Sequence, residues 1–239
     1  MRTPEGVHFG FEFNVPNAKV RFNSPMAVAE PEVDQIPGAC KNWFSVERWV
    51  DVANADYGVT WATVDAPLVE MGGLTANLLR TQPNPKAYLK TIQPSSRLYS
   101  WIMNNHWHTN YKADQEGPTE FRYAIRPHHV YDPVAAAHFG LEATEPLIAL
   151  PAAGAAPPQP PVRIEPAGVV VTAFKPSEDG KAWVIRLFGA SGQDQVARLV
   201  WSQPTSVYYT DVGEQPGPKA SEQVPVPAWS LVSLRAERP

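Results

Sequence analysis

The chain has 239 residues with 24 acidic and 20 basic side chains, and its net charge of −4 gives no electrostatic case for binding nucleic acid or an anionic membrane surface. Its 26 prolines are about twice ordinary usage, but 44% of the residues are hydrophobic, so the prolines punctuate short strands and do not signal disorder. The single cysteine, Cys40, excludes an internal disulfide and favours a reducing compartment.

The N-terminal segment MRTPEGVHFGFEF has no apolar core of the length found in signal peptides. No run in the chain approaches the roughly 18 apolar residues that a membrane span needs. We therefore expect a cytoplasmic protein that uses neither a membrane nor a nucleic acid as its partner.

The first predicted strand is Val7–Phe13, where bulky apolar residues alternate with small or polar ones. A turn at Asn14–Asn17 separates it from Ala18–Phe22, which repeats the alternation and predicts a hairpin partner for the first strand. Glu12 falls on the polar side of the alternation, so we expect it to face solvent.

Two further strands are predicted at Trp43–Asp51 and Tyr57–Val64. Both carry large side chains on both faces, which indicates strands inside a large sheet with material packed on each side. The acidic and amide residues around them could suggest a carboxylate pair, because retaining glycoside hydrolysis uses two carboxyl groups about 5 Å apart. Their places beside Ala and Gly at strand ends instead favour turn formation by Asp51, Asn54, Asp56 and Asp65.

The stretch Tyr99–Arg126 is the densest in hydrogen-bonding and aromatic side chains, and it is the predicted working surface. Strict alternation puts Trp101, Met103, Asn105, Trp107, Thr109 and Tyr111 on one side of a strand. The other side receives Ile102 followed by Asn104, His106, His108 and Asn110, a polar row that is costly to bury unpaired. We predict that this row faces a polar cleft or a docking partner, with Trp107 and Tyr111 as candidate sugar-stacking rings. The alternative for the aromatic residues is ordinary core packing.

His106 and His108 form an H-x-H pair whose side chains would point the same way along a strand, which is one route to two zinc ligands. No third ligand is apparent, because the candidates Asp114, Glu116, His128 and His129 all lie past turns. The motif is therefore weak, and we expect no metal or other cofactor in this chain. The sequence also lacks the GxSxG, HExxH, CxxC, P-loop and GxGxxG motifs.

A short helix is predicted over Pro133–Phe139, since Asp132 can cap its N-terminus and Gly140 can stop it. The Pro/Ala-rich segment Leu150–Pro161 reads as an extended linker. Five short strands then follow, at Gly168–Phe174, Ala182–Phe188, Gln195–Val200, Ser206–Thr210 and Ser230–Arg235, and they predict a small β-sandwich. We accordingly predict a first domain over 1–150, a linker over 151–163 and a second domain over 164–239.

Several segments together resemble a known family. The run NNHWHTNY, preceded by SRLYSW and followed by FRYAIRPH, is similar to the later, non-catalytic half of glycoside hydrolase family 38, the retaining α-mannosidases. Upstream FEFNVPNAKVRF and downstream FKPSEDGKAWVIRLF are similar to that family in the same order. One departure is Glu12, where the family usually has proline.

The resemblance implies an all-β fold, with a large galactose-mutarotase-like super-sandwich first and a small sandwich at the end. It also implies retaining α-mannoside hydrolysis, in which the nucleophile, the general acid and the zinc ligands come from an N-terminal catalytic domain that has no counterpart here. We therefore expect a C-terminal accessory region, inactive alone, whose partner is that zinc-dependent domain or its oligosaccharide substrate. Homo-oligomerisation stays open. The alternative is a free-standing carbohydrate-binding or interaction protein without catalysis.

Overall fold

The structure is a computed structural model that describes residues 5–76, 85–93, 95–105, 115–149, 151, 154 and 160–238. The chain divides into two compact units. The first comprises 1–131 and 139–146, and the second comprises 132–138 and 147–239. The predicted domain bounds at 150 and 163 stay a prediction.

The described part of the first unit contains nine strands and a short 3₁₀ helix at Pro85–Ala87. In chain order the strands are β1 (Gly6–Glu12), β2 (Lys19–Ser24), β3 (Ala27–Ala29), β4 (Phe44–Ser45), β5 (Trp49–Ala53), β6 (Gly58–Thr63), β7 (Leu68–Met71), β8 (Arg97–Asn104) and β9 (Tyr123–His128). The first sheet has the order β1-β8-β7-β4, and the second has the order β3-β2-β5-β6-β9. The pairs within both sheets are antiparallel.

The core of the first unit lies between these two sheets. Val69 and Leu98 reach it from the first sheet, whereas Val50, Val52 and Trp61 reach it from the second, and all five are 0% exposed. In each of these strands the residues between the core positions must point to the opposite side, since side chains alternate along a strand. Both sheets therefore have an outer face, and the sequence between core residues identifies which side chains occupy it.

The predicted hairpin of the first two strands is wrong. β1 pairs with β8 in the first sheet, while β2 pairs with β3 and β5 in the second. The predicted strand Trp43–Asp51 is likewise two strands, because β4 joins the first sheet and β5 the second. Alternation reports which face of a strand is buried, but it does not report which partner buries it.

The helix α1 runs over Pro133–Thr144, longer than predicted. Its start is as expected, because the Asp132 carboxylate accepts the backbone N–H groups of Val134 at 2.9 Å and Ala135 at 3.2 Å. Gly140 does not stop it. A Cβ at Gly140 would lie 2.5 Å from Trp49 Cδ1, so glycine at this position permits close approach of the helix backbone to the indole.

The second unit contains seven described strands: β10 (Val162–Glu165), β11 (Val169–Pro176), β12 (Ala182–Gly189), β13 (Gln195–Trp201), β14 (Val207–Tyr209), β15 (Gln223–Val226) and β16 (Leu231–Glu237). They form a third sheet with the order β10-β13-β15 and a fourth with the order β11-β12-β16-β14. A second core lies between these sheets and includes Ile185, Leu187 and Leu234 opposite Ala197 and Val224. The five predicted strands are present. β10 and β15, of four residues each, were not predicted.

The predicted all-β class is confirmed, since strands dominate the described residues and α1 is the one α-helix among them. Within that same part of the chain, no helix has both the length and the apolar character needed to cross a membrane.

Candidate functional site

The predicted working surface begins on β8, whose two sides have different roles. Leu98 and Ser100 face the core of the first unit, where the Tyr123 hydroxyl donates to Ser100 Oγ at 2.9 Å. Arg97, Tyr99 and Trp101 therefore lie on the outer face of the first sheet. Trp101 is nevertheless only 6% exposed. The outer face of this sheet is covered where the tryptophan lies.

Trp101 belongs to an aromatic cluster with His8 and Trp43. His8 is its cross-strand partner on β1, and the two rings stack with centroids 5.5 Å apart and planes 14° apart. The Trp43 ring meets Trp101 edge-on at 5.9 Å and 70°. Trp101 Nε1 is buried and has no hydrogen-bond partner among the described residues. A ring packed in this way is buried, and its face is not accessible for stacking on a sugar.

His8 also contacts a fully buried carboxylate. Its Nε2 lies 2.7 Å from Glu70 Oε1, and the two side chains are 6% and 0% exposed. The other oxygen of Glu70 accepts the backbone N–H groups of Thr75 at 2.5 Å and Ala76 at 2.8 Å. Both oxygens of Glu70 are therefore partnered, which removes most of the cost of burying the group.

Asn42 also binds the loop that contains Thr75. Its amide nitrogen donates to the Thr75 carbonyl at 3.2 Å, and its oxygen accepts the Leu89 backbone N–H at 3.2 Å and the Cys40 thiol at 3.5 Å. Asn42 is 1% exposed. The cluster of Asn42, Glu70, His8 and Trp101 thus holds the backbone of Thr75, Ala76 and Leu89 in place. Its groups are too deeply buried to reach a ligand in solution.

The structure describes only one member of the predicted polar row. Asn104 is the last residue of β8 and pairs in register with Gly6. Next to it, Asn105 Oδ1 accepts the Glu5 backbone N–H at 2.6 Å. The other predicted site residues, His106, Trp107, His108, Asn110 and Tyr111, lie outside the described residues. The role of this surface stays a prediction.

A second histidine–carboxylate pair lies on the outer face of the second sheet. His128 Nε2 is 2.7 Å from Asp51 Oδ2, which also accepts the Thr60 hydroxyl at 2.7 Å. Asp51 is 0% exposed, and its Oδ1 has no partner among the described residues. Burial raises the pKa of this carboxyl group, and the hydrogen bond from Thr60 and the charges of His128 and Arg21 offset part of that rise.

Glycine at position 58 makes room for this pair. His128 and Gly58 are cross-strand partners, and a Cβ at Gly58 would lie 2.7 Å from His128 Cε1. The interpretation of Asp51 as a turn former is wrong, because it lies in the middle of β5. The interpretation holds for Asn54, whose side-chain oxygen accepts the backbone N–H groups of Asp56 at 2.9 Å and Tyr57 at 3.0 Å. Glu12 is exposed as predicted and forms an ion pair with Arg97.

Sequence reasoning missed His8, Asn42 and Glu70. A signal was present for Glu70, since a single carboxylate inside the apolar strand LVEM needs a partner when both faces are covered. Finding His8 as that partner required the knowledge that β1, β8 and β7 are neighbours. Among the described residues, no group of three or more His, Cys, Asp and Glu side chains could hold a metal ion, so these residues do not fit a zinc site.

Comparison with known proteins gives one family match and two structural matches. Residues 168–234 match the model of the glycosyl hydrolases family 38 C-terminal beta sandwich domain. No curated protein matches the chain in sequence. An alpha-mannosidase of known structure from Enterococcus faecalis V583 superposes with a TM-score of 0.69 at 17% identity, over 96% of this chain. A glycosyl hydrolase family 38 protein from Enterococcus faecalis superposes with a TM-score of 0.67 at 18% identity, over 92% of this chain.

At these identities the superpositions establish the fold. This chain spans about a quarter of each matched protein, because the aligned part covers 25% of either one.

Proposed function

Since residues 168–234 carry a glycosyl hydrolase family 38 C-terminal β-sandwich domain, we propose that this chain is the accessory region of an α-mannosidase-like retaining glycoside hydrolase. It works beside a separate catalytic domain that holds the zinc ion. The observation that carries this proposal is the superposition: 96% of this chain aligns with only 25% of an alpha-mannosidase. Three quarters of that protein has no aligned counterpart here.

The chemistry of the first unit supports a non-catalytic role for this region. Retaining glycosidases place two carboxyl groups about 5 Å apart on either side of the scissile bond. The two fully buried carboxylates of this unit, Glu70 and Asp51, belong to different sheets and point to opposite outer faces. Each carboxylate contacts a different histidine, His8 for Glu70 and His128 for Asp51. Among the described residues both carboxylates are engaged by side chains of their own sheets, and the proposal assigns hydrolysis to the separate domain.

Within the proposal, this chain supplies a rigid frame and a contact surface. The frame is the buried network of Asn42, Glu70 and His8 against Trp101. The contact surface is the predicted polar row that begins at Asn104 and continues through His106, His108 and Asn110, with Trp107 and Tyr111. Asn and His side chains suit either hydrogen bonding to sugar hydroxyls or a polar docking interface with the catalytic domain.

The first test is activity and assembly of the purified chain. We expect no hydrolysis of aryl α-mannosides above background, with or without zinc, and a stable complex with a separately expressed family 38 catalytic domain in size-exclusion chromatography. Zinc-dependent turnover by the chain alone would overturn the accessory role. Failure to associate with catalytic domains, together with sugar binding by the free chain, would favour a free-standing carbohydrate-binding protein.

The second test is the double variant His106→Ala/His108→Ala. If these histidines lie on a contact surface, thermal stability stays close to that of the wild type while association or saccharide binding weakens. Loss of a buried hydrogen-bonded pair would instead lower the melting temperature by several degrees. His138→Ala is the matched control, because His138 is exposed on α1 and should change neither property.

A further inference from the structure

The second unit contains a cleft of about 710 Å³ that the proposed function does not use. It is lined by 198–205, Val207 and 219–222, and all of these residues are described. Its volume falls within the range of about 300–1,000 Å³ that is typical of small-molecule sites. All of its lining residues belong to the second unit.

The strand pairing explains why the cleft is open. β13 pairs with β15 only from Gln195 to Arg198, and beyond that point Leu199 N–H contacts the Glu222 carbonyl at 3.5 Å. Two residues earlier in the chain, Ala220 N–H donates to the Val207 carbonyl of β14 at 2.8 Å. The segment 219–222 therefore crosses from the fourth sheet to the third. This crossing separates the end of β13 from β14 and leaves a mouth at one end of the sandwich.

Four polar side chains around this mouth are unpaired. Arg198, Gln203, Lys219 and Glu222 are all exposed, and no hydrogen bond or ion pair engages their side chains within the described part of the chain. The hydroxyl groups of the cleft differ. Those of Ser202 and Thr205 donate to backbone carbonyls at 3.3 and 2.9 Å, and that of Ser221 donates to the Gln223 carbonyl. The hydroxyls order the rim, while Gln203 and Glu222 remain available to a ligand.

Trp201 adds an aromatic wall to the cleft. It is half-buried, packs against the core of the second unit and carries a buried Nε1 that has no partner among the described residues. Gln203 and Glu222 occur around the same space. Strand alternation directs Arg198, between the core residues Ala197 and Leu199, to the outer face of the third sheet, and Lys219, the bridge partner of Tyr208, to the outer face of the fourth. A ligand that matches this set offers both hydroxyl donors and acceptors together with an apolar C–H face.

We infer that this cleft is a saccharide-binding site, which would take a short, uncharged oligosaccharide. A simple anion fits less well, because Glu222 places a negative charge beside the cleft. The inference stands on the cleft itself, and the proposed function supplies only the choice of mannosides as the first probes. The two ideas therefore fail separately: binding of a different sugar would support the cleft and weaken the mannosidase assignment.

The test is a titration of the full chain with methyl α-mannoside, α-1,2-mannobiose, cellobiose and sodium phosphate, followed by ¹H–¹⁵N NMR spectra. We expect one of the sugars to shift the indole N–H signal of Trp201, assigned with Trp201→Phe, and amide signals of 198–205 and 219–222. Glu222→Gln and Gln203→Ala should each weaken binding about tenfold, which corresponds to the loss of one well-placed hydrogen bond.

The matched controls are Glu178→Gln and Lys181→Gln, which change exposed charges of the same unit outside the cleft lining and should leave binding unchanged. Since the side chains of Glu222 and Gln203 are exposed and unpaired, their variants should fold normally, and the spectra report this directly. Three results would overturn the inference: no sugar shifts the cleft signals, phosphate alone shifts them, or Glu222→Gln and Gln203→Ala bind as tightly as the controls.

Discussion

The two sheets of the first unit each carry a histidine–carboxylate pair on the outer face, and the pairs differ in how completely the carboxylate is partnered. Both pairs have a nitrogen–oxygen distance of 2.7 Å, and both carboxylates are 0% exposed. Glu70 uses both oxygens, with two backbone N–H groups on the oxygen that His8 does not contact. Asp51 places Thr60 and His128 on one oxygen, and its other oxygen has no partner among the described residues.

This difference separates a carboxylate whose burial is fully compensated by hydrogen bonds from one whose burial is compensated only in part. A buried charge is tolerated when each of its lone pairs is engaged, and it costs free energy when one is left empty. Two of the three partners of Glu70, the N–H groups of Thr75 and Ala76, come from a loop, so the carboxylate helps to hold that loop against the sheet. The partners of Asp51 are already fixed by the strands β6 and β9. The first pair should therefore stabilise the unit strongly, and the second only weakly.

The largest expected effect is that of Glu70→Ala. The substitution leaves the His8 imidazole and two backbone N–H groups without their acceptor, and breaking a buried pair in this way costs about 3–5 kcal/mol. We expect the melting temperature of the first unit to fall by roughly 10 °C, measured by near-ultraviolet circular dichroism. Glu70→Gln, which keeps one acceptor oxygen, should lose less. A melting temperature for Glu70→Ala within 2 °C of the wild type, on the order of experimental scatter, would contradict the comparison.

A smaller effect is expected for Gly140→Ala, which tests the cover of the second sheet. The added Cβ would meet Trp49 Cδ1 at 2.5 Å and Arg48 Cβ at 3.2 Å, so the helix must shift away from the sheet. Such overpacking costs about 1–3 kcal/mol, although alanine favours a helix over glycine by about 1 kcal/mol. Urea unfolding measures the difference. Gly73→Ala is the control, because no atom lies within 4 Å of its added Cβ. Equal stability of Gly140→Ala and Gly73→Ala would show that the packing of Gly140 against Trp49 leaves room for a methyl group.

Asp51→Asn should change stability by less than about 1 kcal/mol in either direction. The amide oxygen can still accept from Thr60 and His128, and the substitution removes a buried charge that has an empty lone pair. Urea unfolding of Asp51→Asn beside Glu70→Gln gives a direct comparison of two isosteric changes at two fully buried sites. A less stable Asp51→Asn than Glu70→Gln would contradict the expectation that the His8–Glu70 pair stabilises the unit more than the His128–Asp51 pair.

The smallest effect is a pH dependence whose sign differs between two aspartates. The pKa of Asp51 is raised from its ordinary value of 3.8, so the folded state binds the proton more tightly than the unfolded state. As pH rises from 3.8 through the folded pKa, the wild type should therefore lose stability relative to Asp51→Asn.

Asp179 in the second unit provides the opposite case. Hydrogen bonds from Lys181 N–H, Ser177 and Arg235 lower its pKa from 3.8. Its stabilising contribution is present above 3.8 and is lost as pH falls through the folded pKa. The wild type should therefore gain stability relative to Asp179→Asn as pH rises towards 3.8. Urea midpoints of the wild type and both variants between pH 3 and 7 would check both signs, and slopes of the same sign for the two residues would refute the assignment.

Local properties of the sequence determined the fold class, most strands and the start of α1. Alternation identified β1 and β2, and Asp132 marked the helix N-terminus, because these signals act between residues that are near in the chain. The similarity of several ordered segments to family 38 likewise needed no coordinates, and the match of residues 168–234 confirms it for the second unit.

The tertiary structure alone decided which strands are neighbours, and hence every contact between residues distant in the chain. β1 and β2 look like a hairpin, but they lie in different sheets. His8 meets Glu70 and Asp51 meets His128 across 62 and 77 residues, distances over which sequence periodicity carries no information. Gly140 reads as a helix stop by itself and becomes a contact point only when Trp49 lies beneath it. The physical reason is that burial depends on the partner surface, which long-range packing creates and no local pattern encodes.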